Sequence, residues 1–136
     1  MKDVEHAGMM LEMASKDLKA LEGMLDKETF VDEIFGFHAQ QSVEKALKSW
    51  LSIIGAGYPK IHDLEELFSL LEDNGIKVPE QLKELSLLTT FSVQFRYEAF
   101  IDIEEPLDRQ ALIGTVQTLF GKVRAILEEE NKLAQE

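Results

Sequence analysis

FVDEIFGFHAQQSVEKALKSWLSII, residues 30–54, is the stretch on which the fold turns. At 100° per residue, Phe35, Ala39, Val43, Ala46, Leu47, Trp50, Ile53 and Ile54 share one side of a cylinder. His38, Gln41, Ser42, Lys45, Lys48, Ser49 and Ser52 share the other. The pattern predicts a helix from Phe30 or Val31 to Ile54, closed by Gly55-Ala56-Gly57 and Pro59. Gly36 inside it costs ~1 kcal/mol relative to Ala, so either something packs closely there or the helix tolerates it.

The same period runs outward in both directions. Val4, Ala7, Leu11, Ala14, Leu18, Leu21 and Leu25 step by three and four, one stripe of a first helix. Met9, Met13 and Met24 form a second stripe, which predicts contact with two neighbouring helices or with a partner, since unbranched Met adapts to irregular surfaces. Asp63 is a suitable N-cap for a short helix carrying Leu64, Leu67, Phe68 and Leu71 and stopping at Asn74-Gly75. Pro79 suits the start of a fourth helix with Leu82, Leu85 and Leu88 inward. Propensity weakens over the β-branched and aromatic residues 89–95. Pro106 and Asp108 start the last helix, with Leu112, Val116, Leu119, Val123, Ile126 and Leu127 facing a core. On its opposite side Ala111, Gly114, Thr118, Gly121 and Ala125 make a row of small residues, an indifferent surface or a place for another helix to approach. Strand-like alternation is sustained nowhere. The fold class is therefore all-α: an up-and-down bundle of four to five helices in one domain spanning 1–136, with about 128–136 as a fraying tail.

Composition narrows function by exclusion. Fourteen basic against 26 acidic residues give a net charge of −12, which opposes docking on extended nucleic acid. There are no cysteines, hence no disulfide, thiolate metal site or cysteine nucleophile. No apolar run reaches the ~20 residues of a membrane span, and no secretory leader is evident, so no membrane partner and a cytoplasmic location are expected. His62 with Glu65 and Glu66 has metal-ligand spacing. The paired Glu-x-x-His pattern of bundle-core sites is missing, however, and no metal is expected.

Phe37-His38-Ala39-Gln40-Gln41-Ser42-Val43-Glu44-Lys45-Ala46-Leu47-Lys48, followed by a glycine-containing loop, His62-Asp63-Leu64 and a late Arg96-Tyr97, resembles the HEPN family (higher eukaryotes and prokaryotes nucleotide-binding) across essentially the whole chain. The resemblance implies a helical bundle, usually a homodimer. It also implies one of three roles: partner of a small nucleotidyltransferase, component of a toxin–antitoxin pair, or endoribonuclease. The ribonucleases of the family carry an arginine, four to six intervening residues and then a histidine, and pair these across the dimer. Here no histidine follows His62, so that catalytic pair is not carried over; Glu98 also stands where the family usually has proline. The expectation is a non-catalytic, homodimeric binding module working with a nucleotidyltransferase. A metal-independent toxin-type ribonuclease and a ligand-free dimeric scaffold are the alternatives.

The polar side of residues 30–54 is then either a solvated face or a ligand face. In the second case Lys45 and Lys48 supply cations for phosphate, while His38 and Gln41 supply hydrogen bonds to base or ribose. His62, Arg96 and Tyr97 complete the candidate ligand-binding set, and no catalytic residue is assigned. Glu44, at the edge of that face, is placed to pair with a basic group from elsewhere, Arg96 being the natural candidate. No glycine-rich phosphate loop is present. No cofactor is implied, and the small molecule expected is a weakly held ATP or other nucleotide.

Overall fold

The computed structural model describes residues 2–92 and 107–135. Helix α1 spans Val4–Glu22 and α2 spans Asp32–Ile53. Helix α3 spans Leu64–Asp73, and α4 spans Glu80–Lys83 and runs into a 3₁₀ segment, Glu84–Thr89. Helix α5 spans Arg109–Gln135. Among the described residues there is no strand, and no helix is long and apolar enough to cross a membrane.

Three of the helices, α1, α3 and α5, begin at an aspartate that satisfies a free amide. Asp3 accepts from the His6 amide at 2.9 Å, Asp63 from Glu65 at 3.0 Å, and Asp108 from Ala111 at 3.2 Å. Helix α1 ends earlier than the stripe suggests. The Gly23 amide turns back to Ala20 and Leu21, and Leu25 lies past the helix, 47% exposed. The fourth helix also differs from expectation. Leu82, Leu85, Leu88 and Phe91 are all buried at a strict spacing of three, and that period lines up on a 3₁₀ helix, where i and i+3 eclipse, rather than on an α-helix.

Helices α1 and α2 run antiparallel and close. Ala7 and Ala14 on one and Ala39 and Ala46 on the other, each pair seven residues apart, leave little between the backbones. Into that seam Ser42 donates to the Ala14 carbonyl at 2.9 Å and Ser49 to the Ala7 carbonyl at 2.7 Å. These serines, grouped above with a polar face, are fully buried. A short hydroxyl fits a close crossing and uses the second lone pair of a carbonyl already bonded along its helix. Gly36 is resolved in favour of close packing, because a Cβ there would lie 2.4 Å from the Phe91 ring.

Helix α5 closes the bundle over both. Its first residue, Arg109, is buried on the connection between α1 and α2. There it donates to the Met24 carbonyl at 2.6 Å, to the Phe30 carbonyl and to Asp32 Oδ1 at 2.9 Å, beneath the Phe35 ring. At the other edge Lys122 lies 5.9 Å from the centre of the Trp50 ring. The small-residue row faces outward: a Cβ on Gly114 or Gly121 would meet nothing within 4 Å. Met9 and Met13 are likewise outward, 53% and 40% exposed, so within the chain they do not form the second helix contact.

Candidate functional site

The polar side of α2 is neither bare nor a single site. It divides between two carboxylates. On the α1 side Asp17 takes Lys45 Nζ at 2.7 Å on one oxygen and His38 Nδ1 at 3.1 Å on the other. On the far side Glu44, 5% exposed, is the centre of a denser cluster. Its Oε2 accepts from Lys48 Nζ at 3.0 Å. Its Oε1 accepts from Gln40 Nε2 at 2.9 Å and faces His62 Nδ1 at 3.0 Å. Gln40 Nε2 also reaches the His62 carbonyl at 3.1 Å, and Gln41 donates to Gln40 Oε1 at 2.7 Å. Lys48 is capped by the Tyr58 ring at 5.4 Å, and the Tyr58 hydroxyl meets His6 Nε2 at 2.5 Å. Burial holds that phenol above its ordinary value of 10.0, opposed by its hydrogen bond with Ser52, so Tyr58 keeps its proton.

Chain geometry explains the convergence. Gln40, Glu44 and Lys48 are spaced four apart and stack along one edge of α2. The Gly55–Pro59 turn then brings residues 58–63 back along that edge. Gly55 has φ of 79°, a left-handed conformation open to glycine, and Ala56 bonds back to the Leu51 carbonyl at 2.9 Å. His62 arrives over Glu44, and Asp63 starts α3.

Beside this cluster is a cleft of about 520 Å³ lined by Lys60, Ile61, His62, Asp63, Thr89, Thr90 and Ser92. Thr89 Oγ1 accepts from the Leu64 amide at 3.0 Å, and Ser92 donates to the Thr89 carbonyl at 2.7 Å, which fixes this wall against the start of α3. The lining carries the Lys60 ammonium, the His62 imidazole, the Asp63 carboxylate, three hydroxyls and the aliphatic Ile61. Such a mixture suits a small polar ligand.

Of the sequence-derived set, the structure brings His38 and Lys45 together at Asp17, and Gln41, Lys48 and His62 together around Gln40 and Glu44. Only His62 lines the cleft. Arg96 and Tyr97 lie outside the described residues, and the carboxylate expected to await a distant arginine is met by Lys48 and His62. Asp17, Gln40, Tyr58, Lys60 and the Thr89–Ser92 wall went unnoticed in the sequence. The four-residue spacing of Gln40, Glu44 and Lys48 was the one signal available. Among the described residues no three His, Asp or Glu side chains gather where they could hold a metal ion.

The model of the HEPN domain family matches residues 7–131. Nothing matches among the curated proteins or the solved structures.

Proposed function

The chain belongs to the HEPN family, and from that premise we propose that it is a non-catalytic binding module taking a mononucleotide in the cleft between residues 60–63 and 89–92. The observation that carries this reading is the cleft itself, where Lys60 and His62 stand with Asp63 and three hydroxyls. Its volume lies within the roughly 300–1,000 Å³ of ordinary ligand sites. A mononucleotide brings few charges and is held by one or two cations, whereas a long polyanion would be repelled by a net charge of −12. Lys45 and Lys48, neutralised by Asp17 and Glu44, serve as supports for the fold of the site rather than as phosphate contacts.

The module acts as a homodimer beside a small nucleotidyltransferase. The outward methionines of α1 and the open glycine row of α5 support a helix-on-helix contact between copies. The test is a titration of AMP followed by amide NMR. Shifts centred on residues 60–63 and 89–92 support the reading, and shifts confined elsewhere refute it.

A second reading has one observation in its favour, because a carboxylate-held imidazole at a cleft is also how a general base is presented. Metal-free cleavage of single-stranded RNA, lost in His62→Ala, would establish that alternative. Intact RNA is the expected result.

A further inference from the structure

Both Glu44 oxygens already act as acceptors, Oε1 from Gln40 and Oε2 from Lys48, so the contact between Oε1 and His62 Nδ1 has the imidazole as donor. That assignment fixes the tautomer. With Nδ1 carrying hydrogen, the only place where His62 gains or loses a proton is Nε2, and no described residue bonds Nε2. His62 lines the cleft and its side chain is 57% exposed, so a ligand there can reach the ring.

We infer that His62 is a proton-linked phosphate contact: the cleft binds the phosphate of a nucleotide with His62 in its imidazolium form, taking up a proton when the free protein lacks one. The inference rests on the proposed mononucleotide site and names the part of the ligand recognised and the ionic form that recognises it. A neutral imidazole would turn the Nε2 lone pair towards phosphate oxygens, an acceptor facing acceptors. Protonation turns the same atom into a charged donor. Charges of both signs surround the ring. Glu44 stands on one side, shared with Lys48 on the same helix. Asp63 is the next residue in the chain, and Glu65 and Glu66 begin α3. Lys60 is the opposing cation of the segment, and Thr89, Thr90 and Ser92 across the cleft carry no charge. The Nδ1 bond to a buried carboxylate also holds the ring in place, so that Nε2 is presented in one orientation.

The experiment uses the full chain and two probes, AMP and adenosine, between pH 7.5 and 8.5, where the AMP phosphate, with a second pKa of about 6, is essentially all dianion. Calorimetric titration in buffers of different ionisation enthalpy measures protons taken up per AMP bound. Amide NMR in the same samples locates the ligand. The expected result for AMP is an affinity that falls with rising pH, by up to tenfold per unit, accompanied by uptake approaching one proton and a shift of the His62 Cε1–H signal to its imidazolium position. Adenosine, lacking the phosphate, should give neither. His62→Gln, which still donates hydrogen bonds but does not titrate, should bind AMP with a flat pH profile and no uptake. Should that variant misfold, uptake by the wild type together with the His62 ring signal decides alone. AMP bound at residues 60–63 and 89–92 with no proton uptake, or with the same uptake in His62→Gln, overturns the inference and leaves the nucleotide site standing. Absence of any AMP shift at those residues overturns both.

Discussion

Replacing Glu44 by Gln keeps the shape of the side chain and one acceptor oxygen while removing the charge around which the cluster is built. Lys48 is then left with its ammonium in a place where the whole residue is only 8% exposed and no other carboxylate contacts it among the described residues. Breaking a buried pair on one side costs about 3–5 kcal/mol, because the remaining charge is desolvated without compensation. With an m value of ~2 kcal/mol per molar urea, the unfolding midpoint of Glu44→Gln should fall by roughly 1.5–2.5 M. Lys48→Met removes the other charge and keeps the stem against the Tyr58 ring. The double variant has no unpaired ammonium, so it should be more stable than Glu44→Gln alone, with a coupling energy of at least ~1.5 kcal/mol. The assay is urea unfolding of the four proteins by circular dichroism. Single effects that add to within ~0.5 kcal/mol would refute the reasoning, since they would mean that the two charges are hydrated independently.

Three more expectations follow from single positions. Gly36→Ala should destabilise the protein by ~1–2 kcal/mol in the same assay, the overpacking against Phe91 outweighing the ~1 kcal/mol gained in helix propensity; a stabilised variant would show that Phe91 yields. Gly121→Leu should leave the monomer fold intact by circular dichroism, because nothing in the chain lies within 4 Å of the new Cβ, yet should shift light scattering from dimer towards monomer; an unchanged dimer mass removes the α5 row from the interface. The carboxyl of Asp26 is held below its ordinary value of 3.8 by hydrogen bonds from the Thr29 hydroxyl and the Glu28 amide. Because the folded pKa is the lower one, its contribution is present above the unfolded value and is lost as pH falls through the folded value. The melting-temperature difference between wild type and Asp26→Asn should therefore shrink between pH 5 and 2, and a constant difference would contradict this.

How far the sequence could be read depended on whether a contact lay within one helix or between two. The extent of α2 was legible almost to the residue, since its apolar side and the glycine turn after it are local signals. Leu82, Leu85 and Leu88 also announced a helix, but a period of three was read as one of 3.6, and the 3₁₀ geometry went unseen. Ser42 and Ser49 misled because hydropathy ranks a hydroxyl as polar without asking whether a carbonyl stands opposite. Of the candidate site, the Gln40, Glu44 and Lys48 edge was readable from spacing. Asp17 was not, because its partners His38 and Lys45 lie on the next helix and no local period ties them. The cleft was legible only through His62: its second wall comes from residues 89–92, which the sequence marked merely as a weakening of helix propensity.

The two serine bonds in the α1–α2 seam do more than satisfy hydroxyls. They join residues related by one offset, seven positions forward on one helix against seven backward on the other. Alanine surfaces alone would let such helices slide a turn with modest loss, since one methyl resembles the next. Each bond contributes only ~1 kcal/mol in place, but a slip breaks both together and strands two buried hydroxyls, at ~1–3 kcal/mol apiece. The serines thus act as a vernier. They set the alignment that places Asp17 beside Lys45 and His38, and that brings the Asp3 amide to the Ser52 carbonyl at 2.9 Å, while the alanines set how closely the helices approach.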